Sequence, residues 1–101
     1  MIKLTILYGH PKDTVAFENY YSKTHLPIAS KMKGYEKFEL TKFLSTPDES
    51  EARYYRMAEF WFASPEALQT TMDSPAGQET AADLSNFAAD NVTFLVGSTQ
   101  V

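Results

Sequence analysis

The sequence predicts an α+β protein in which two β-α-β units form one antiparallel sheet of four strands. Three observations lead to this prediction: four short segments rich in strand-forming residues, two longer segments with helical spacing, and the order β-α-β-β-α-β. With right-handed connections, this order gives a ferredoxin-like fold with the helices on one face of the sheet. The 101 residues suffice for one domain, so we expect a single domain over residues 1–101.

The first half of the pattern contains a strand, a helical region and a second strand. Residues 2–8, IKLTILY, are rich in strand formers and are followed by the turn residues GHPK. Asp13 is the expected N-cap of the helix that follows. Residues 35–44, YEKFELTKFL, alternate between apolar and polar types and predict the second strand.

A proline interrupts the first helical region two residues after a histidine. Pro27 disfavours helical geometry at the residue before it and is well suited to the first turn of a new helix. We therefore expect the helix to break after His25, and a second helical piece to stop before Gly34. The break either forms a structural corner or directs the imidazole toward a ligand.

The second half repeats the order of strand, helices and strand. Residues 53–63, RYYRMAEFWFA, give the strongest strand pattern in the chain. Ser64-Pro65 and Ser74-Pro75 each place an N-cap residue before a proline at the first helical position, which predicts two successive helices. Residues 92–97, VTFLVG, form the expected last strand.

The third strand is mostly apolar on both faces of the sheet. One face carries Tyr54, Ala58, Phe60 and Phe62, and the other carries Tyr55, Met57, Trp61 and Ala63. Helices on one side of the sheet can cover only one of these faces, and an uncovered apolar face is typical of an association site. We expect a homodimer formed by packing of two sheets. Alternatively, the additional aromatic residues line a pocket within one subunit, and the two interpretations are compatible.

Composition excludes several classes of function. The formal net charge is −4, and no basic stripe is present, so we expect no nucleic-acid partner. Cysteine is absent, and two histidines without ligand spacing predict no metal site. The amino end has neither a membrane span nor a signal-peptide pattern, so we expect a soluble, cytoplasmic protein without membrane contact.

One segment carries a family resemblance. From Phe17 to Tyr35, FENYYSKTHLPIASKMKGY contains an aromatic pair, a histidine, a proline, an apolar residue and a closing glycine. This order resembles the signature of the EthD family of dimeric α+β barrel proteins. AEFWFASPEAL, SPAGQETAADLSNFA and VTFLVG are similar to later family patterns, and Ile28 stands where the family often has leucine.

The resemblance implies a ferredoxin-like subunit, a homodimer joined through its sheets, and a pocket between sheet and helices. It also implies relatives in small-molecule degradation and in polyketide or aromatic tailoring. Related barrels include cofactor-free monooxygenases, lactone isomerases and some haem proteins. The family name refers to ether degradation and does not determine a reaction.

Three residues are candidates for catalysis. His25 is the expected acid, base or orienting donor at the mouth of an apolar pocket; alternatively, it ends a helix and hydrogen-bonds free carbonyls. Glu59 lies in an apolar strand and could orient His25 or bind a substrate hydroxyl; alternatively, it pairs with a cation on a neighbouring strand. Tyr21 precedes His25 by four residues and shares its helix face, so we prefer it to Tyr20.

We expect the ligand pocket to be lined by further apolar and aromatic side chains. These are Tyr8, Phe17, Trp61 and Ile28. Aromatic and phenolic side chains suit a small aromatic ligand, although core packing is the ordinary role of such residues.

Three hypotheses for the function follow. The first is a cofactor-free enzyme that transfers a proton on a small apolar or aromatic compound, by isomerisation, dehydration or assisted oxidation. The second is a non-catalytic module that binds such a compound or serves an oxidation pathway. The third, by analogy with related barrels, is a haem-binding protein with His25 as axial ligand.

Overall fold

The computed structural model describes residues 1–100, in which four strands form one antiparallel sheet in the order β2-β3-β1-β4. The strands are β1 (Ile2–Tyr8), β2 (Lys37–Lys42), β3 (Arg56–Phe62) and β4 (Val92–Ser98). The helical elements are α1 (Thr14–Tyr20), a π-helical turn (Tyr21–His25), α2 (Leu26–Ala29), α3 (Pro65–Asp73), α4 (Pro75–Asp83) and a 3₁₀ turn (Leu84–Asn86). This arrangement confirms the predicted fold class.

The two central strands carry the core on the side that faces the helices. Leu4 of β1 lies opposite Phe60 of β3, and Ile6 lies opposite Ala58. All four side chains are buried because the helical regions cover the middle of the sheet. The edge strands are covered less completely: on the same side, Phe94 of β4 is 47% exposed.

The predicted helix break at Pro27 is wrong, because the helix continues through a wider turn. The N–H of Leu26 donates to the carbonyl of Tyr21, five residues earlier, instead of to the residue four back. Such a turn accommodates a proline, which has no N–H for the helix ladder and crowds the carbonyl four residues before it. Tyr21 and His25, at the two ends of the turn, are both buried against the core.

Both predicted serine caps are present in the second helical region. The hydroxyl of Ser64 accepts from the N–H of Ala67 at 3.1 Å, and the hydroxyl of Ser74 accepts from the N–H of Gly77 at 3.1 Å. The second cap starts α4 in a new direction, and the 3₁₀ turn follows α4 directly. Asp83 is the last residue of α4, and its carboxyl side chain is buried where α4 meets the 3₁₀ turn.

The face of the sheet away from the helices is mixed instead of mostly apolar. Neighbouring strands add Lys3, Lys37 and Glu39 to the apolar Met57 and Trp61 of β3. The sequence of β3 alone could not show this, because the neighbours of a strand residue come from other strands. Tyr55 also departs from its predicted face, since it precedes β3 and packs in the core with a ring-centroid distance of 5.4 Å to Phe17.

None of the helices between residues 1 and 100 is long and apolar enough to cross a lipid bilayer.

Candidate functional site

His25 lies in the interior and is bound to a carboxylate from the second helical region. The residue is 4% exposed, and its Nδ1 atom is 2.9 Å from Oδ2 of Asp83. The contact joins the π-helical turn to the end of α4 across 58 residues of sequence. His25 therefore has a carboxylate partner, and the alternative contact, a hydrogen bond to free helix carbonyls, is not the one formed.

The second oxygen of Asp83 is held by two other donors. The hydroxyl of Tyr20 donates to Oδ1 at 2.7 Å, and the side-chain amide of Asn86 donates to the same atom at 3.0 Å. Burial raises the pKa of Asp83, but the hydrogen bonds from Tyr20, Asn86 and His25 outweigh it, and the pKa lies below its ordinary value. Asp83 is thus ionised at neutral pH and can only accept, so Nδ1 of His25 carries a proton.

Phe87 fixes the position of both rings that contact Asp83. Its ring centroid is 4.6 Å from that of His25 and 5.3 Å from that of Tyr20. With Nδ1 occupied by Asp83, Nε2 is the imidazole atom available to a ligand; it has no hydrogen-bond partner within residues 1–100. The arrangement orients the imidazole in the same way as an aspartate orients a catalytic histidine.

The imidazole borders a cavity of about 40 Å³ between the sheet and the helices. All four strands contribute apolar walls, among them Leu4, Ile6, Leu40, Phe60, Phe62 and Phe94. The cavity reaches both edges of the sheet, where Leu40 and Phe94 are partly exposed. An apolar cavity beside an oriented imidazole suits a ligand that is itself mainly apolar.

Two of the predicted site residues, Tyr8 and Tyr21, line this cavity together with His25. Both are almost fully buried, and burial raises the pKa of Tyr21 to about 12 and also raises that of Tyr8. The Arg56 guanidinium lies 4.9 Å from the ring centre of Tyr21 and forms two hydrogen bonds to Glu18, at 2.7 and 2.9 Å. With its pKa raised to about 12, Tyr21 keeps its proton at neutral pH.

The other predicted site residues lie elsewhere. Glu59 and Trp61 are on the sheet face away from the helices, where Glu59 Oε2 pairs with Lys3 Nζ at 3.0 Å and Lys37 lies 4.6 Å from the Trp61 ring. The expected pairing of Glu59 with His25 is therefore not formed; the alternative, a cation on a neighbouring strand, is present. Phe17 lines a separate open groove instead of the cavity, and Ile28 is half-buried on α2 outside the cavity wall.

Sequence reasoning missed Asp83, Asn86 and Phe87, and it set Tyr20 aside. A signal was present, because Asp83 lies three residues after Thr80 and four before Phe87, on the apolar side of its helix. A carboxylate in that position is costly to bury without partners, so it indicates a specific contact. Within residues 1–100, no group of three or more histidine, aspartate or glutamate side chains is arranged to hold a metal ion.

Comparison with known proteins establishes the family. The model of the EthD domain matches residues 10–91. The chain belongs to the EthD family. It is also 36% identical over 95 residues to an uncharacterized 11.0 kDa protein in the thcB-thcC intergenic region of Rhodococcus erythropolis, covering 94% of this chain and 91% of that protein.

Solved structures agree with this assignment. A crystal structure of an ethyl tert-butyl ether D (EthD) family protein from Bacillus halodurans is 30% identical and superposes with a TM-score of 0.92 over 99% of each chain. A dimeric ferredoxin-like protein of unknown function from Jannaschia sp. is 17% identical, with a TM-score of 0.71 over 98% of this chain and 100% of the other. At 17% identity, the similarity to the Jannaschia protein shows a shared fold and no more.

Proposed function

We propose that this EthD protein is a cofactor-free enzyme that transfers a proton on a small apolar or aromatic compound. The observation that carries the proposal is the 2.9 Å contact between Nδ1 of the buried His25 and Oδ2 of Asp83, beside an apolar cavity. His25 is the proposed acid and base, acting through Nε2. Asp83 is a positioning residue that stabilises the imidazolium when Nε2 takes up a proton. The family resemblance favours a reaction in small-molecule degradation or in polyketide tailoring.

The size of the cavity limits the ligand. About 40 Å³ is room for only one or two water molecules, so a ring-sized ligand requires side chains to move. Met32 and Met72 line the cavity and are unbranched and adaptable. A ligand can also extend toward solvent between the partly exposed edge residues Leu40 and Phe94. A haem group bound by His25 does not fit, because a porphyrin far exceeds this space.

Solvent-deuterium exchange tests the proposal without knowledge of the natural substrate. The probes are indene, 2-tetralone and α-angelica lactone, which are small cyclic compounds with acidic C–H bonds. Each probe is incubated with the protein in D₂O, and proton NMR follows the loss of the C–H signal. We expect faster exchange for at least one probe, and a loss of about 100-fold in the His25→Gln variant, the scale of general acid–base catalysis. His10→Gln, which changes the exposed histidine outside the cavity, is the matched control.

Two results would count against an enzyme. Exchange that His25→Gln leaves unchanged would contradict the role of His25. Binding of a probe by the wild type without faster exchange of any probe would favour the non-catalytic binding module.

We also propose a homodimer that forms through the sheet faces away from the helices. The proposal is supported by the apolar Met57, Trp61 and Leu95 on that face, of which Leu95 is 54% exposed, and by the dimeric state given for the Jannaschia protein, which has the same fold. Light scattering after size exclusion should give a mass near twice 11.4 kDa.

A pair of variants tests which face forms the dimer. Trp61→Arg places a charge in the proposed interface and should yield monomers, whereas Val15→Arg, on the exposed side of α1, should remain dimeric. A monomeric wild type at micromolar concentration would contradict the proposal, and dimeric Trp61→Arg would contradict the choice of face.

A further inference from the structure

The hydroxyl of Tyr21 is buried without a partner. It is the only fully buried side-chain oxygen or nitrogen in residues 1–100 that makes no hydrogen bond, and the Tyr21 side chain is 2% exposed. Native proteins pair almost all such groups, because an unpaired buried hydroxyl destabilises the fold. Since Tyr21 lines the cavity beside His25, an acceptor on a bound molecule is the candidate for the missing partner.

The cavity offers one hydrogen-bond donor and one proton acceptor. Burial keeps the Tyr21 pKa near 12, so its hydroxyl remains a donor at neutral pH. His25 directs Nδ1 to Asp83 and leaves Nε2 for the ligand. The two rings are nearly parallel, with centroids 6.0 Å apart, and both residues line the cavity, so one small molecule can contact both.

We propose, on the basis of the proposed function, that the ligand is an enolisable carbonyl compound. Its carbonyl oxygen accepts the hydrogen bond from Tyr21, and the C–H bond next to the carbonyl faces Nε2 of His25. In the reaction, Nε2 takes the proton, and the electron pair of that C–H bond forms the C=C bond of an enolate. The carbonyl oxygen receives the negative charge and is stabilised by the Tyr21 hydroxyl; return of the proton to carbon or oxygen completes an isomerisation.

Other ligand classes match the cavity less well. A pure hydrocarbon would leave the Tyr21 hydroxyl unpaired. A carboxylate or phosphate would find no cation, because no lysine or arginine among the described residues lines the cavity, and the charge of Asp83 lies behind His25. Arg56, the nearest guanidinium to Tyr21, is already bound to Glu18 through two hydrogen bonds.

A pair of probes that differ in one atom tests the inference by binding alone. Cyclohexanone has the acceptor oxygen, and methylenecyclohexane has a CH₂ group in its place. Titrations followed by NMR should show the wild type binding the ketone about tenfold more tightly, the factor expected for one hydrogen bond. Tyr21→Phe should reduce this ratio to about one, whereas Tyr35→Phe, which removes a hydroxyl outside the cavity wall, should leave it unchanged.

Thermal unfolding without ligand supplies a second readout. Tyr21→Phe should keep or raise the melting temperature, because it removes an unpaired buried hydroxyl. A lower melting temperature would mean that the hydroxyl has a structural partner and would overturn the inference. An unchanged ketone preference in Tyr21→Phe, or no preference in the wild type, would overturn it as well. Ketone preference that depends on Tyr21, without deuterium exchange, would support the ligand class and contradict only the proposed catalysis.

Discussion

Asp83→Ala is expected to lower the free energy of unfolding by about 3 kcal/mol, the upper end of the scale for leaving a buried hydrogen-bond donor without its partner. The change removes the acceptor for three donors at once: Nδ1 of His25, the Tyr20 hydroxyl and the Asn86 amide. Tyr20 and Asn86 can turn to solvent, but the buried imidazole N–H cannot, so most of the loss arises there. Urea unfolding at pH 7 and fixed protein concentration measures the change.

Asp90→Ala is the matched control for this variant. Asp90 is exposed, and its carboxylate makes no hydrogen bond within residues 1–100, so its replacement should change stability by less than about 0.5 kcal/mol. A loss below about 1 kcal/mol in Asp83→Ala would show that the carboxylate is not held as described.

The same carboxylate should make stability depend on acid pH. Its folded-state pKa lies below the ordinary value of 3.8, so the unfolded chain takes up this proton first as the pH falls. The stabilisation is therefore complete above about pH 5 and is lost as the pH falls through about 4 and below. Asp83→Asn cannot titrate, so its deficit relative to the wild type should shrink between about pH 6 and 3. A constant deficit would contradict the depressed pKa.

Phe87→Ala is expected to cost about 3 kcal/mol, at the lower end of the range for truncating a phenylalanine because this side chain is only half-buried. Its ring contacts five others, with centroid distances of 4.6 Å to His25, 5.3 Å to Tyr20, 5.4 Å to Phe17, 5.9 Å to Tyr8 and 6.1 Å to Tyr21. Truncation leaves a void among these rings and removes aromatic pairs. Denaturant unfolding measures the loss.

Two further variants test whether the loss of stability comes from the volume of the Phe87 ring or from the loss of any apolar side chain. Phe87→Leu keeps most of the volume and should cost less than about 1.5 kcal/mol. Leu44→Ala removes an apolar side chain that is 91% exposed and should have almost no effect. If Phe87→Ala and Phe87→Leu lower the free energy of unfolding equally, the volume of this ring does not stabilise the packing around His25.

The sequence predicted the parts of this structure that depend on local patterns. The strands follow from alternation, and both serine caps follow from Ser-Pro pairs whose side chains reach an N–H three residues later. It failed at Pro27, because a π-helical turn and a helix break are both compatible with a proline there. The choice of Tyr21 over Tyr20 rested on regular helical spacing, whereas in the structure both tyrosines approach the site.

The contacts that build the site depend on distant partners. Asp83 reaches His25 only because the end of α4 lies beside the π-helical turn, and no local pattern encodes that pairing. Glu59 and Trp61 were assigned to the pocket because both faces of β3 carry apolar residues, and local alternation does not indicate which face the helices cover. Lys3, which pairs with Glu59, lies on a strand 56 residues away in the sequence.

The tautomer of His25 tests the central claim most directly. If Asp83 accepts from Nδ1, the neutral imidazole must carry its proton on Nδ1 and leave Nε2 unprotonated. Long-range proton–nitrogen NMR correlation at alkaline pH distinguishes the two tautomers, and a His10→Gln sample assigns the signals. We predict the Nδ1–H form for His25. A His25 imidazole that is protonated on Nε2 and unprotonated on Nδ1 would contradict the account. Asp83 would then accept no hydrogen bond from the ring, and Nε2 could not act as a base.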